Sequence, residues 1–176
     1  QNNLIDYVDK IQKKYTIKVN LQIHKKNVGF SSNVNRAGLV SNADILVLLN
    51  TDVSPEKDFL KPLLSHFNDS TVFGVGCMDK SIEGEDTVLR GRGLASWHKG
   101  FLVHRRGEFD ESNTFWVSGG SSAVRCDMFK KLGGFDPLYN PFYWEDIDLS
   151  YRAQKAGFRT VFEKESMVTH VHSKGS

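Results

Sequence analysis

Five aliphatic residues in succession, Ile45-Leu46-Val47-Leu48-Leu49, place the strongest constraint on how this chain folds. The run lacks the polar alternation of a half-exposed strand and is short for a helix. It therefore predicts a strand covered on both faces, the kind found inside α/β sheets. The flanking patterns agree. Apolar residues at 4, 5, 8, 11 and 15 make a helical stripe over Leu4–Tyr15, and alternating Ile17, Val19, Leu21 and Ile23 follow as a strand. Val34, Ala37 and Val40 share one face of a short helix capped at Ser31 or Ser32 and reaching about Ser41. Ser54-Pro55 has the signature of a helix start, with Phe59, Leu60, Leu63, Leu64 and Phe67 as its buried stripe.

The second half continues in the same manner. Thr71–Cys77 reads as a strand, Asp79–Asn113 as irregular, and Thr114–Val124 as a strand with Ser118-Gly119-Gly120-Ser121 at its centre. Asp127–Leu132 and Asp146–Ala156 read as helices closed by Gly133-Gly134 and Gly157, and Phe158–Phe162 and Met167–His172 as strands. This alternation predicts a single α/β domain over residues 1–176, with a mostly parallel sheet flanked by helices. A chain of 176 residues buries roughly 70% of its unfolded surface, so neither disulfides nor metal are needed for folding.

Composition removes several function classes. The chain is 39% hydrophobic and 25% charged, which excludes a largely disordered protein. Its longest aliphatic run of five falls far short of the ~20 residues of a membrane span, and Gln1–Lys14 is polar, without a signal-peptide pattern. Cys77 and Cys126 read as two buried thiols in a reducing compartment. With 23 basic and 21 acidic residues the net charge is +2, which argues against nucleic acid as a partner. One stretch departs from this balance. No acid lies between Thr87 and Gly107, where Arg90, Arg92, Lys99, Arg105 and Arg106 mingle with Trp97, Phe101, His98 and His104. It reads either as a solvated loop or as a surface for an anionic acceptor.

Ligands of open α/β sheets bind beyond the carboxyl ends of the strands. Asn50-Thr51-Asp52 follows Leu49 directly, and residues i and i+2 of an extended segment point the same way. This suits a hard divalent cation holding a diphosphate; an Asx-type turn is the structural alternative. Trp144-Glu145-Asp146-Ile147-Asp148 packs three carboxylates beside an aromatic ring. Mutual repulsion makes any water-shielded member a candidate base, whereas the alternative is acids favouring a helix N-terminus. His170-Val171-His172 places two imidazoles on one side of a strand, open to metal binding or to a structural role. Gly119-Gly120 inside a strand suggests a bulge or a ligand close to the backbone.

In order, these residues resemble family-2 glycosyltransferases, the inverting group with the GT-A fold, and rhamnosyltransferase-like members in particular. The resemblance starts at Asn27-Val28-Gly29-Phe30 and Asn35-Arg36. It runs through Leu48-Leu49-Asn50-Thr51-Asp52, Val117-Ser118-Gly119-Gly120 and Gly133-Gly134-Phe135-Asp136. It is densest over Phe142–Arg152, with its Glu-Asp-x-Asp-Leu-x-x-Arg block, and closes on Val168-Thr169-His170. The family's opening strand, which receives the nucleotide base and ribose, has no counterpart before Gln1, so the resemblance implies a GT-A domain without its first βα unit. The metal motif also begins with Asn50 instead of aspartate.

The resemblance implies a transferase moving a sugar, with inversion, from a nucleotide-sugar donor to a glycan or lipid-linked acceptor. It makes Asp146 the base, with Glu145 beside it. Asp52, Asn50 and His170 would hold Mn²⁺ or Mg²⁺, and Asn35 and Asp52 would meet the donor. Gly119, Gly120, Trp144 and Asp148 would line the acceptor side. By analogy the setting is the bacterial cytoplasm, in peripheral contact with the inner membrane face, in cell-envelope polysaccharide synthesis. Two rivals stand beside it. One is a catalytically inactive module of the same fold that holds a glycan or a partner. The other is a metal-dependent hydrolase built on His170 and His172, which lacks further ligands at diagnostic spacing.

Overall fold

The computed structural model describes residues 2–171. Those residues hold eight strands and five α-helices: α1 (Asn2–Tyr15), α2 (Phe30–Gly38), β1 (Ile45–Leu49), β2 (Val53–Pro55), α3 (Leu60–Ser65), β3 (Val72–Glu83), β4 (Asp86–Arg90), β5 (Gly93–His98), β6 (Phe101–Arg106), β7 (Ser121–Arg125), α4 (Cys126–Lys131), α5 (Glu145–Lys155) and β8 (Arg159–Val171). The main sheet has the order β1-β7-β3-β8-β2, with β4 paired to β3, while β5 and β6 form a separate ribbon.

The α/β class is as expected, but the sheet is mixed, not mostly parallel. Among the described strands only β3 and β8 pair in parallel; β1–β7, β3–β7, β2–β8 and β3–β4 are antiparallel. The reason is local to Gly119-Gly120. The chain turns there, beside the carboxyl end of β1, and β7 runs back along that strand with Leu49 opposite Ser121.

Adjacent residues of β7 feed opposite sides of the sheet. Val124 joins Phe73, Phe129, Phe135 and Leu149 beneath α4 and α5, whereas Ala123 joins Leu63, Val75, Val161 and Val168 beneath α3. Phe73, Phe129 and Leu63 are fully enclosed, and truncating any one to alanine would cost ~2–5 kcal/mol. Cys77 and Cys126 are free and buried, and burial pushes the Cys77 thiol up to about 11. No described helix is long and apolar enough to cross a membrane.

Several local expectations are corrected. Residues 17–23 do not pair into a strand, although their alternation persists. Lys18, Asn20 and Gln22 line a groove of ≈ 1090 Å³ facing β1, while Ile17, Leu21 and Ile23 point to solvent. A strand exists through its ladder, and no described strand pairs with this one. For the same reason β1 is not covered on both faces; Val47 and Leu49 stay 39% exposed. Ser54-Pro55 does not start a helix but lies in β2, held against Thr169 and Val168 of β8. Residues 114–120 are not a strand, because side chains satisfy their backbone instead: the Val117 N–H donates to Ser150 Oγ, and the carbonyls of Thr114 and Phe115 accept from Thr160 Oγ1 and Gln154 Nε2. Conversely, the stretch expected to be irregular contains two hairpins. Lys99-Gly100, both at positive φ, makes the two-residue turn between β5 and β6. Phe158–Phe162 and Met167–His172 merge into the single strand β8 up to Val171, with a register shift opposite Cys77-Met78.

Candidate active site

The carboxyl end of β1 and the start of β7 meet at one crossing. The Asn50 N–H donates to the Gly120 carbonyl at 2.9 Å, and the Asn50 side chain lies over Gly120. A Cβ at Gly120 would come within 2.6 Å of Asn50 Nδ2, so any larger residue there would displace the Asn50 side chain. This explains one of the paired glycines by packing against the candidate metal motif.

Asp52 follows on the loop into β2, with its side chain 59% exposed. His170 lies on β8 opposite Val53 of β2 and Ser81 of β3. Its Nε2 is 3.2 Å from Asp52 Oδ2, and its Nδ1 is 3.5 Å from Asp79 Oδ2. Asp52 and His170, 118 residues apart in the chain, thus meet face to face. Asp79 was not anticipated. It ends the buried part of β3 just as Asn50 ends β1, so the strand-end rule already applied to Asn50 would have found it. His172 lies outside the described residues.

Oxygen and imidazole donors suit Mn²⁺ or Mg²⁺ chemically. Among the described residues no group of three His, Cys, Asp or Glu side chains is arranged to hold a metal. Asp52 and His170 are the facing donors that could hold such a cation.

The second constellation sits at the start of α5. Glu145, Asp146 and Asp148 lie in the first turn and separate in three directions. Asp146 reaches the Gly119 amide, whose N–H points to Oδ2 at 3.4 Å, and Oδ1 accepts from the Ile147 N–H at 2.8 Å. Burial pushes the Asp146 carboxyl above the usual range, opposed by those two amides and by His104. Glu145 is 7% exposed, and its Oε2 has no hydrogen-bond partner. Burial, then the charge of Asp146, raises its proton affinity as well. Asp148 instead meets Arg152 at 2.7 Å, and the same guanidinium donates to the carbonyls of Leu132 and Gly134. It does not line the cavity that Asp146 lines.

Asn35 is likewise turned away from the crossing. Its Nδ2 donates to the Phe135 carbonyl at 2.7 Å and its Oδ1 accepts from the Phe135 N–H at 2.9 Å. Trp144 precedes α5 at φ 87°, is 40% exposed, and packs edge-on against His104 with ring centroids 5.0 Å apart. His104 makes a similar contact with Trp116 at 5.6 Å, which pins β6 beside Asp146.

Two cavities adjoin across β3. One, of ≈ 280 Å³, is lined by Asn50, Asp79, Ser81 and His170; the other, of ≈ 330 Å³, by His104, Arg105, Arg106, Trp116 and Asp146. Asp79, Arg90, Ser118 and Ser121 line both. The basic stretch divides between them and the interior. Arg92 is 5% exposed and holds the carbonyls of Asn113 and Glu108 together with Glu111. Arg90 pairs with Glu83, while Arg105 and Arg106 have no carboxylate partner among the described residues.

A family model described as glycosyltransferase-like family 2 matches residues 1–176. A pre-mycofactocin glycosyltransferase of Mycobacterium tuberculosis is 30% identical over 152 residues, covering 85% of this chain and 31% of that protein. An N-acetylglucosaminyl-diphospho-decaprenol L-rhamnosyltransferase of the same organism is 42% identical over 62 residues, or 34% of this chain and 20% of that protein. The chain thus spans a third or less of these relatives. Among solved structures, GalNAc-T7 with UDP, GalNAc and Mn²⁺ superposes with a TM-score of 0.76 at 16% identity, over 98% of this chain and 36% of that one. The mannosyltransferase PcManGT of Pyrobaculum calidifontis, in complex with GDP-Man and Mn²⁺, gives 0.69 at 14% identity, over 100% and 46%. At these identities the likeness speaks for the fold, which is that of GT-A glycosyltransferases.

Proposed function

The chain belongs to glycosyltransferase-like family 2, and from that premise we propose that it transfers a sugar from a nucleotide-sugar donor to a glycan or lipid-linked acceptor, with inversion. One observation carries the reading. A carboxyl with raised proton affinity, Asp146, faces a cavity that adjoins the cavity of His170 across the shared wall of Asp79 and Ser118.

In this scheme Asp146 accepts the proton of the acceptor hydroxyl as that oxygen attacks the anomeric carbon. The bond from that carbon to the donor diphosphate breaks in the same displacement, and the diphosphate leaves with the electron pair. No nucleophilic side chain is required. Asp52, His170 and the Asn50 carbonyl would hold a divalent cation, which supplies neutralisation of the diphosphate charge. Trp144 and Trp116 frame the acceptor side. Arg105 and Arg106, lacking carboxylate partners, are placed to hold an anionic group of the acceptor. Association with a membrane face belongs to the same proposal.

Calorimetric titration with UDP, GDP and dTDP, with and without Mn²⁺, tests it. Binding of one nucleotide should require the metal, and Asp52→Ala should abolish that dependence. Tight metal-independent binding of all three would overturn the metal assignment.

A further inference from the structure

We propose that the β5–β6 ribbon is a docking element whose tip and outer face lie on an anionic lipid surface. The inference deepens the transferase reading and rests on it for one point, that the surface delivers a lipid-linked acceptor to Asp146.

The two faces of the ribbon differ in their partners. Ala95 stands opposite His104 and Trp97 opposite Leu102, so these four share one face. That face is held to the body of the protein. His104 packs edge-on against Trp116 and Trp144, and Trp97 against Tyr151 of α5 with ring centroids 5.8 Å apart. Side chains alternate along a strand, so the pairs Ser96–Val103 and His98–Phe101 take the opposite face. All four are exposed, Val103 at 51% and Phe101 at 75%. Lys99 and Gly100, the turn beside Phe101, are exposed as well.

Charge selects what this face meets. Gly93–Arg106 holds Lys99, Arg105 and Arg106 and no acid. A second copy seated on the same face would set like charges against like, whereas anionic headgroups attract them. Each Lys or Arg near such a surface strengthens binding about five-fold. Nucleic acid would meet the charges but leave Val103 unused. Apolar and aromatic side chains interleaved with basic ones suit the boundary between headgroups and acyl chains, with ring and valine in the apolar layer and cations among the phosphates. The base of the ribbon is fixed where the chemistry sits. The Phe115 N–H donates to the Gly93 carbonyl at 2.7 Å, and His104, Arg105 and Arg106 line the cavity of Asp146. Strands of six residues span roughly 20 Å, so the tip can rest on lipid while the base borders that cavity.

Sedimentation with vesicles tests the proposal, comparing phosphatidylcholine alone with an equal mixture of phosphatidylcholine and phosphatidylglycerol. The protein should bind the mixed vesicles, lose them as salt rises, and bind the neutral ones at least about ten-fold more weakly. Phe101→Ser combined with Val103→Ser should weaken binding to the mixed vesicles ~10–100-fold. Lys99→Asn should weaken it about five-fold, since asparagine tolerates the positive φ of the turn and only the charge is lost. All three positions are exposed, and an unchanged thermal midpoint shows that the variants fold. Failure to bind either vesicle, or binding that the substitutions leave unchanged, would overturn the proposal. So would a dimer that the Phe101 and Val103 substitutions dissociate, or tighter binding of a mixed-sequence oligonucleotide than of the vesicles. Mn²⁺-dependent binding of UDP, GDP or dTDP, measured on the same samples, should not change among the variants. Its absence from every sample beside intact vesicle binding would sink the transferase reading and leave the docking surface standing.

Discussion

The Gly119 amide points at Asp146 Oδ2 across 3.4 Å, joining the start of α5 to the turn that precedes β7. Of three carboxylates in one helical turn, this alone faces the crossing of β1 and β7. Asp146→Asn should therefore lower turnover ~10²–10⁴-fold with nucleotide affinity intact. Glu145→Gln should keep most activity, since Glu145 is enclosed. Steady-state kinetics with donor binding measured separately checks both. A dead Glu145→Gln beside an Asp146→Asn that turns over nearly normally would move the base to Glu145.

Burial of these two carboxyls also has a stability signature. Both have raised proton affinity in the folded state. The protonated form therefore stabilises the fold, and that contribution is lost as the pH rises through the folded value. Asp146→Asn and Glu145→Gln remove the ionisation. Their thermal midpoints should equal that of the unmodified protein near about pH 4 and exceed it increasingly at higher pH. Scanning calorimetry across pH measures this; an unmodified protein that gains on the variants as pH rises would contradict the sign.

Asp148 is expected to act on stability. Its carboxylate holds Arg152, which in turn ties α5 to the carbonyls of Leu132 and Gly134. Asp148→Asn should cost about 1–3 kcal/mol in chemical denaturation and leave turnover nearly unchanged. Unaltered stability with lost turnover would return Asp148 to the acceptor side.

Neutralising Arg105 and Arg106 together should raise the KM for acceptor and leave the KM for donor alone, because both line the cavity of Asp146 and neither is held by a carboxylate. An unchanged acceptor KM would make them part of a solvated ribbon. Arg92→Ala is the contrasting case: it removes the internal support of the β5–β6 region and should appear as lost stability.

The α/β class, most helices, and the residues that collect at the strand ends are legible in the residues alone. These follow from local information: hydrophobic period, glycine closures at 133, 134 and 157, and polar groups placed directly after an aliphatic run. It also separated Asp146 from Glu145 and Asp148, since a helix turns about 100° per residue and allowed Asp148 to reach Arg152. Strand direction and partnership were decided by the tertiary structure. Whether 17–23 pairs, whether β1 is covered, and which way β7 runs depend on neighbours that period-2 alternation does not specify. Long-range satisfaction was equally illegible. Asn35 braces Phe135, 100 positions away, Arg92 turns inward from a basic stretch, and Asp79 reaches His170 because register sets β3 beside β8. A side chain's partner is chosen by what the fold brings within about 3 Å of it, and only the assembled sheet sets that distance.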